Sequence, residues 1–78
     1  MSPIVLRQGK YEVVIFTRDH HPAHVHVFSA DKAAKIKIHP VEVMDSWGFN
    51  AREIRQILAL VEAHQSLLLA EWRKYHPS

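Results

Sequence analysis

The chain has 78 residues, a formal net charge of +2, seven histidines and no cysteine. That length makes a single domain over residues 1–78, which buries little more than about 60% of its unfolded surface and is modestly stable unless it associates. The composition, 47% apolar, excludes a disordered chain; the missing cysteine excludes a disulfide framework and a thiolate metal site; the small net charge is well below that of a dedicated nucleic-acid binder.

The opening segment, Met1 to Arg7, has neither the basic region nor the long apolar region of a secretory signal. Ile4 to Leu6 and Tyr11 to Phe16 are apolar and β-branched, and Gly9 between them can take positive φ, so they predict two strands joined by a tight hairpin. Glu12 is the only charge in the second run, which predicts that Tyr11–Phe16 is the central, most buried strand. Thr17 to Pro22 is polar, ends in proline and leads into the third strand.

Ala23 to Phe28 alternates, with His24 and His26 on one side and Val25 and Val27 on the other. Residues 29–32 form a turn, and Ala33 to Ile38 alternates again, setting Ile36 and Ile38 against Lys35, Lys37 and His39. A pairing that puts the valines beside the isoleucines keeps about 1.5–3 kcal/mol per buried apolar side chain, and a slip by one residue forfeits it. The favoured register places His24, His26, Lys35, Lys37 and His39 on one face.

Residues 40–49 read equally as a short edge strand or a helical turn. From Ala51 to Tyr75 one long helix is predicted. Asn50 is its N-cap, Glu53 completes a capping box, and Phe49 with Ile54 forms a hydrophobic staple. Ile54, Ile57, Leu58, Val61, Leu68, Trp72 and Tyr75 recur at the spacing of one buried face, and Pro77 ends the helix. Such a helix measures roughly 37 Å, more than short strands cover. The overhang, with Leu60, Leu67 and Leu69, suggests a helix-mediated homodimer or a partner groove. The apolar runs Leu58–Val61 and Leu67–Ala70 are too short to cross a bilayer.

Two constellations carry chemistry. His24 and His26, at i and i+2 on a strand, point the same way roughly 6–7 Å apart and can ligate one metal, with His20 or Asp19 as a third ligand, for zinc or a more open iron, nickel or manganese site. Lysines on the same face oppose a bare cation and suit an anion. There His24 or His26 serves as acid or base, Lys35, Lys37 and His39 line the site, and Arg18 adds a phosphate contact, a set compatible with metal-independent RNA cleavage. Histidines on a solvated strand face also occur as plain surface residues. His64 and His76 receive no role, and Trp47, Trp72 and Tyr75 read as packing residues.

Asp19-His20 with Pro22-Ala23-His24-Val25-His26-Val27 resembles the D-H-x-P-x-H-V-H-V signature of a widespread small bacterial family, domain of unknown function 4160. Ala34-Lys35-Ile36 is similar to its next strand, and Val61-Glu62 through Leu68 and Trp72 to its C-terminal helix; His21 departs from the pattern. The resemblance implies a small chain encoded beside a second small protein, in the manner of type II toxin–antitoxin pairs, with a cognate antitoxin-like partner and RNA as a target.

The resulting expectation is an α+β fold: a mostly antiparallel N-terminal sheet of three or four strands packed against one long C-terminal helix. Its core holds Val13, Ile15, Val25, Val27, Ile36, Ile38, Ile54, Leu58, Val61 and Leu68, and the histidine and lysine face points away from the helix. The leading function is a cytoplasmic toxin-like protein that binds or cleaves RNA through that face. The alternatives are a metal module using Asp19, His20, His24 and His26, or a non-catalytic interaction domain.

Overall fold

A computed structural model describes residues 3–77. Strands β1 (Ile4–Gln8), β2 (Tyr11–Val14), β3 (His24–Ser29), β4 (Lys32–Ile38) and β5 (Val41–Trp47) precede helices α1 (Ala51–Ala63) and α2 (Gln65–Tyr75). The strands form one antiparallel meander in the order β1-β2-β3-β4-β5, so the fold is α+β. None of the helices is long and apolar enough to cross a membrane.

The first hairpin forms as its glycine implies. Gln8 pairs with Tyr11 across a two-residue turn in which Gly9 has φ +58°, the left-handed region that a side chain would strain. The β3–β4 pairing is the favoured register: Val25 lies opposite Ile36, His24 opposite Lys37 and His26 opposite Lys35. Val25, Val27, Ile36 and Ile38 are completely buried beneath the helices, together with Val13, Ile15, Ile57, Val61 and Leu68. At roughly 1.5–3 kcal/mol for each such side chain, this layer outweighs any gain from exposing the histidines differently.

Several details differ from the sequence reading. The sheet has five strands rather than three or four, because residues 41–47 pair with β4 as a long edge strand. The central strand is β3, not the Tyr11 run, whose ladder ends at Val14. Ile54 and Leu58 are only half-buried, while Ile57, Leu60 and Trp72 take their place in the core.

The single long helix is two helices, broken at His64, where φ −113° and ψ 21° depart from helical values. The N–H of His64 is shared between the carbonyls of Leu60 (3.2 Å) and Val61 (3.3 Å), and its own carbonyl accepts from Leu68 (2.9 Å). The bend lets both helices follow one sheet: Leu60 from α1 and Leu68 with Trp72 from α2 all reach the core. The overhang is therefore gone. Leu60 is buried, Leu69 packs on the core, and Leu67 remains exposed.

A buried carboxylate pins the other end of this layer. Glu53 completes the capping box, accepting from the Asn50 N–H at 3.0 Å while Asn50 Oδ1 accepts from the Glu53 N–H at 2.8 Å. It also pairs with Lys10 of the first hairpin turn (2.7 Å) and Lys32 of β4 (3.0 Å). The hydrogen bond from Lys10 is the largest of several influences that hold its pKa down to about 2. One side chain thus ties α1 to two hairpins.

Candidate metal centre

The uncovered face of the sheet starts from the polar positions of the alternating strands. His24 and His26 project from β3 to this side because their neighbours Val25 and Val27 are drawn into the core. The loop after β2 then turns back on itself: the Asp19 N–H donates to the Phe16 carbonyl at 3.1 Å, closing a turn that sets Asp19 over the start of β3. Asp19 Oδ2 lies 2.8 Å from Nε2 of His24 and 2.9 Å from Nε2 of His26. The three ligand-capable atoms all fall within 4.8 Å of one another.

His24 is held from behind. Its Nδ1 donates to the Pro22 carbonyl at 2.8 Å, which fixes the ring's orientation. A neutral imidazole has one N–H, so with Nδ1 donating, Nε2 carries a lone pair. That lone pair faces a carboxylate oxygen at 2.8 Å, two acceptors with nothing to share. The contact is attractive only when a cation lies between them: a second proton on the ring, or a metal ion. Fixing the tautomer through a carbonyl on the far nitrogen is the usual outer support of a metal-binding histidine.

Titration follows from the same contacts. Burial pushes Asp19 up, but the hydrogen bonds from His26 and His24, with the attraction of their charges, outweigh it and hold the carboxyl below its usual range. Burial pulls His26 down; Asp19 opposes this by hydrogen bond and charge, and the nearby His24 and Lys35 add to the fall. With its carboxyl held low and the His26 ring pulled down, the centre offers a carboxylate and imidazole nitrogens, a donor set for a divalent ion. A metal about 2.0–2.2 Å from each donor sets neighbouring donors roughly 3 Å apart, close to the two measured separations.

Aromatic side chains wall the site. The His26 ring meets the edge of Phe16 at 4.2 Å between centroids and stacks near Phe28 at 6.3 Å. His24, only 3% exposed, rests against Trp72 of α2 at 5.2 Å, so this histidine does not point away from the helices. Trp72 in turn is stacked on His76 at 3.7 Å and touched edge-on by His21 at 5.7 Å. Its Nε1 and His76 Nε2 are buried without a hydrogen-bond partner among the described residues. Orphaned buried polar atoms are rare and tend to gather at functional sites. Trp72 and His76 were read from the sequence as packing and as no role; their i, i+4 spacing puts them on one helical face, but nothing local shows that this face meets His24.

The remaining candidates are distributed unevenly. Lys35 and Lys37 lie on the same side of the β3–β4 hairpin as His26 and His24, as the register requires, although Trp72 covers His24. Lys37 is engaged by Glu42 of β5 at 2.9 Å. His39 lies past the end of β4 and meets Gln65 of α2 at 3.2 Å, away from the shared face on which the alternation placed it, because the strand ends at Ile38. Arg18 and His20 are exposed, and His20 is not among the clustered donors.

Comparison with characterised proteins and with solved structures gives no match. The sequence profile of the family described as "Domain of unknown function (DUF4160)" matches residues 11–73, a span that runs from β2 through the Asp19, His24 and His26 cluster into α2 and includes Trp72. The chain belongs to the DUF4160 family.

Proposed function

We propose that this protein is a mononuclear divalent-metal module with Asp19, His24 and His26 as its ligands. The observation that carries the reading is one carboxylate oxygen within 2.8 and 2.9 Å of two histidine Nε2 atoms, one of which has its tautomer fixed from behind. Two imidazoles and one carboxylate, without thiolate, suit zinc, ferrous iron or manganese. Three protein donors leave coordination positions open, as in sites that bind and polarise a water or substrate oxygen. The buried Trp72 beside His24 and the half-buried Phe16 and Phe28 beside His26 lower the local dielectric and strengthen that polarisation.

A phosphate-directed role for the same face, including action on RNA, draws support from Lys35, whose side chain has no partner among the described residues. Lys37 is neutralised by Glu42, and His24 is buried against Trp72. The metal reading accounts for the approach of Asp19 to both histidines, which a phosphate site would not need.

Elemental analysis of untagged protein tests the proposal. The expected result is about one transition metal per chain, retained on dialysis, and lost in Asp19→Asn and in the His24→Ala/His26→Ala double variant. Circular dichroism of those variants should match that of the wild type. A folded wild-type chain that neither carries nor takes up zinc, iron(II), manganese or nickel overturns the reading.

A further inference from the structure

The lysines of the sheet are not alike. Lys10 and Lys32 both pair with Glu53, at 2.7 and 3.0 Å, and Lys37 pairs with Glu42 at 2.9 Å. The Lys35 side chain forms no ion pair or hydrogen bond among the described residues, although the residue is half-buried. Its stem is covered while its charge is left without a protein counter-ion, unlike that of Lys10, Lys32 or Lys37.

The neighbouring acid is turned elsewhere. Asp45 lies directly across from Lys35 in the β4–β5 register, yet its Oδ1 accepts the Ser46 N–H at 2.9 Å. The register shifts at this point, between Lys35 and Ile36, so that Met44 is an additional residue on β5. Bulges of this kind re-aim side chains and recur beside functional sites. On its other side Lys35 faces His26, its direct partner across β3–β4. Cross-strand partners place their Cβ atoms about 4.5–5.5 Å apart, so the Lys35 side chain starts beside His26 and its ammonium has the Asp19–His24–His26 cluster within reach.

A free cation beside a divalent ion is unfavourable by itself, and Asp19 supplies only one negative charge for both. An anion shared by the two cations removes the conflict. We propose that the centre binds an oxyanion, a carboxylate or phosphate group, held jointly by the metal at Asp19, His24 and His26 and by the Lys35 ammonium. This rests on the metal reading and names the substrate class of that site. The aromatic rings of Phe16 and Phe28 beside His26 shield the bound group from competing water.

Cobalt(II) loaded into the full chain provides the readout, since its visible absorption bands respond to each added ligand. The protein is titrated at constant ionic strength with acetate and, separately, with inorganic phosphate, which distinguishes the two sources of oxyanion. The wild type should show saturable band shifts with one or both. Lys35→Met should weaken that anion about tenfold or more while still binding one cobalt, and Lys35→Arg should restore most of the affinity. Lys37→Met, which removes an ammonium already engaged by Glu42, should weaken it several-fold less. Cobalt uptake with no response to either anion overturns the inference alone, as does a Lys35→Met variant that binds anions like the wild type. Failure of the folded wild type to take up cobalt overturns the metal reading and the inference together.

Discussion

Two carboxylates in this protein are each gripped by two basic side chains at hydrogen-bond distance, and they do different things. Glu53 meets Lys10 and Lys32 at 2.7 and 3.0 Å; Asp19 meets His24 and His26 at 2.8 and 2.9 Å. The Glu53 side chain is 6% exposed, whereas that of Asp19 is 34% exposed. Lysine brings a full positive charge and several donors at neutral pH, so the Glu53 knot is electrically closed. His26, whose pKa burial pulls down, brings no permanent charge, so the Asp19 carboxylate is not neutralised as that of Glu53 is. Nearly the same distances therefore yield a structural clamp in one place and, in the function proposed above, a cation site in the other. The identity of the bases decides which.

The largest expected effect breaks the Asp19–His24–His26 cluster from outside it. Trp72→Ala removes a buried ring that supports His24 and closes the core; large-to-small changes of this kind cost about 3–5 kcal/mol. In a domain of this size that is most of the available stability. Urea denaturation should show a population largely unfolded in buffer, whereas Trp72→Phe should stay folded.

Next comes a crossed pair of variants that separates the two carboxylates. Saturating metal at about a hundredfold over its dissociation constant adds roughly 2.7 kcal/mol, a rise of about 10–20 °C in melting temperature for a domain this small. Asp19→Asn should abolish that rise. Glu53→Gln should instead lower the melting temperature of the metal-free protein and leave the rise intact. If both variants lose the rise equally, the two clusters are not independent and the comparison fails.

Acid titration sharpens the same contrast. The Glu53 carboxyl is pulled from its ordinary 4.5 to about 2 in the folded protein. A depressed pKa contributes stability that is fully present above the unfolded value and fades as pH falls from about 4.5 toward about 2. Melting temperatures measured across that range should fall more steeply for the wild type than for Glu53→Gln. Parallel curves would show that Glu53 is not the group responsible.

The smallest effect disturbs one arm of the clamp. Gly48 has φ +90°, and a Cβ there would meet Lys32 Cγ at 3.1 Å. Gly48→Ala should cost about 1–2 kcal/mol through backbone strain, read as a lower denaturation midpoint, with metal stoichiometry unchanged.

Much of the site was legible from local pattern. Period-two alternation put His24 and His26 on one face of a strand, and the valine–isoleucine match across the turn placed Lys35 and Lys37 beside them. Those inferences held because burying one face of a hairpin is a large, local and two-valued choice. The N-terminal cap of α1 was equally legible, since Asn50 and Glu53 satisfy backbone groups within their own turn.

Chain pattern alone could not show which distant groups would complete these clusters. The choice of Asp19 over His20, both named from the sequence as third ligands, depends on the path of a polar loop, and the convergence of Lys10 and Lys32 on Glu53 depends on how the helix lies across two hairpins. The break at His64 involves neither proline nor glycine; it arises because two bent segments cover a five-stranded sheet better than one straight rod. Residues 41–47 became a strand because β4 offered an unpaired edge, and that strand then neutralised Lys37 and bulged opposite Lys35. The sequence by itself determined the faces, the caps and the α+β class, because each follows from contacts between near neighbours in the chain. Only the tertiary structure decided which bases surround each carboxylate and which strand lysine has no ion-pair partner among the described residues, because those pairings depend on the packing of segments far apart in sequence.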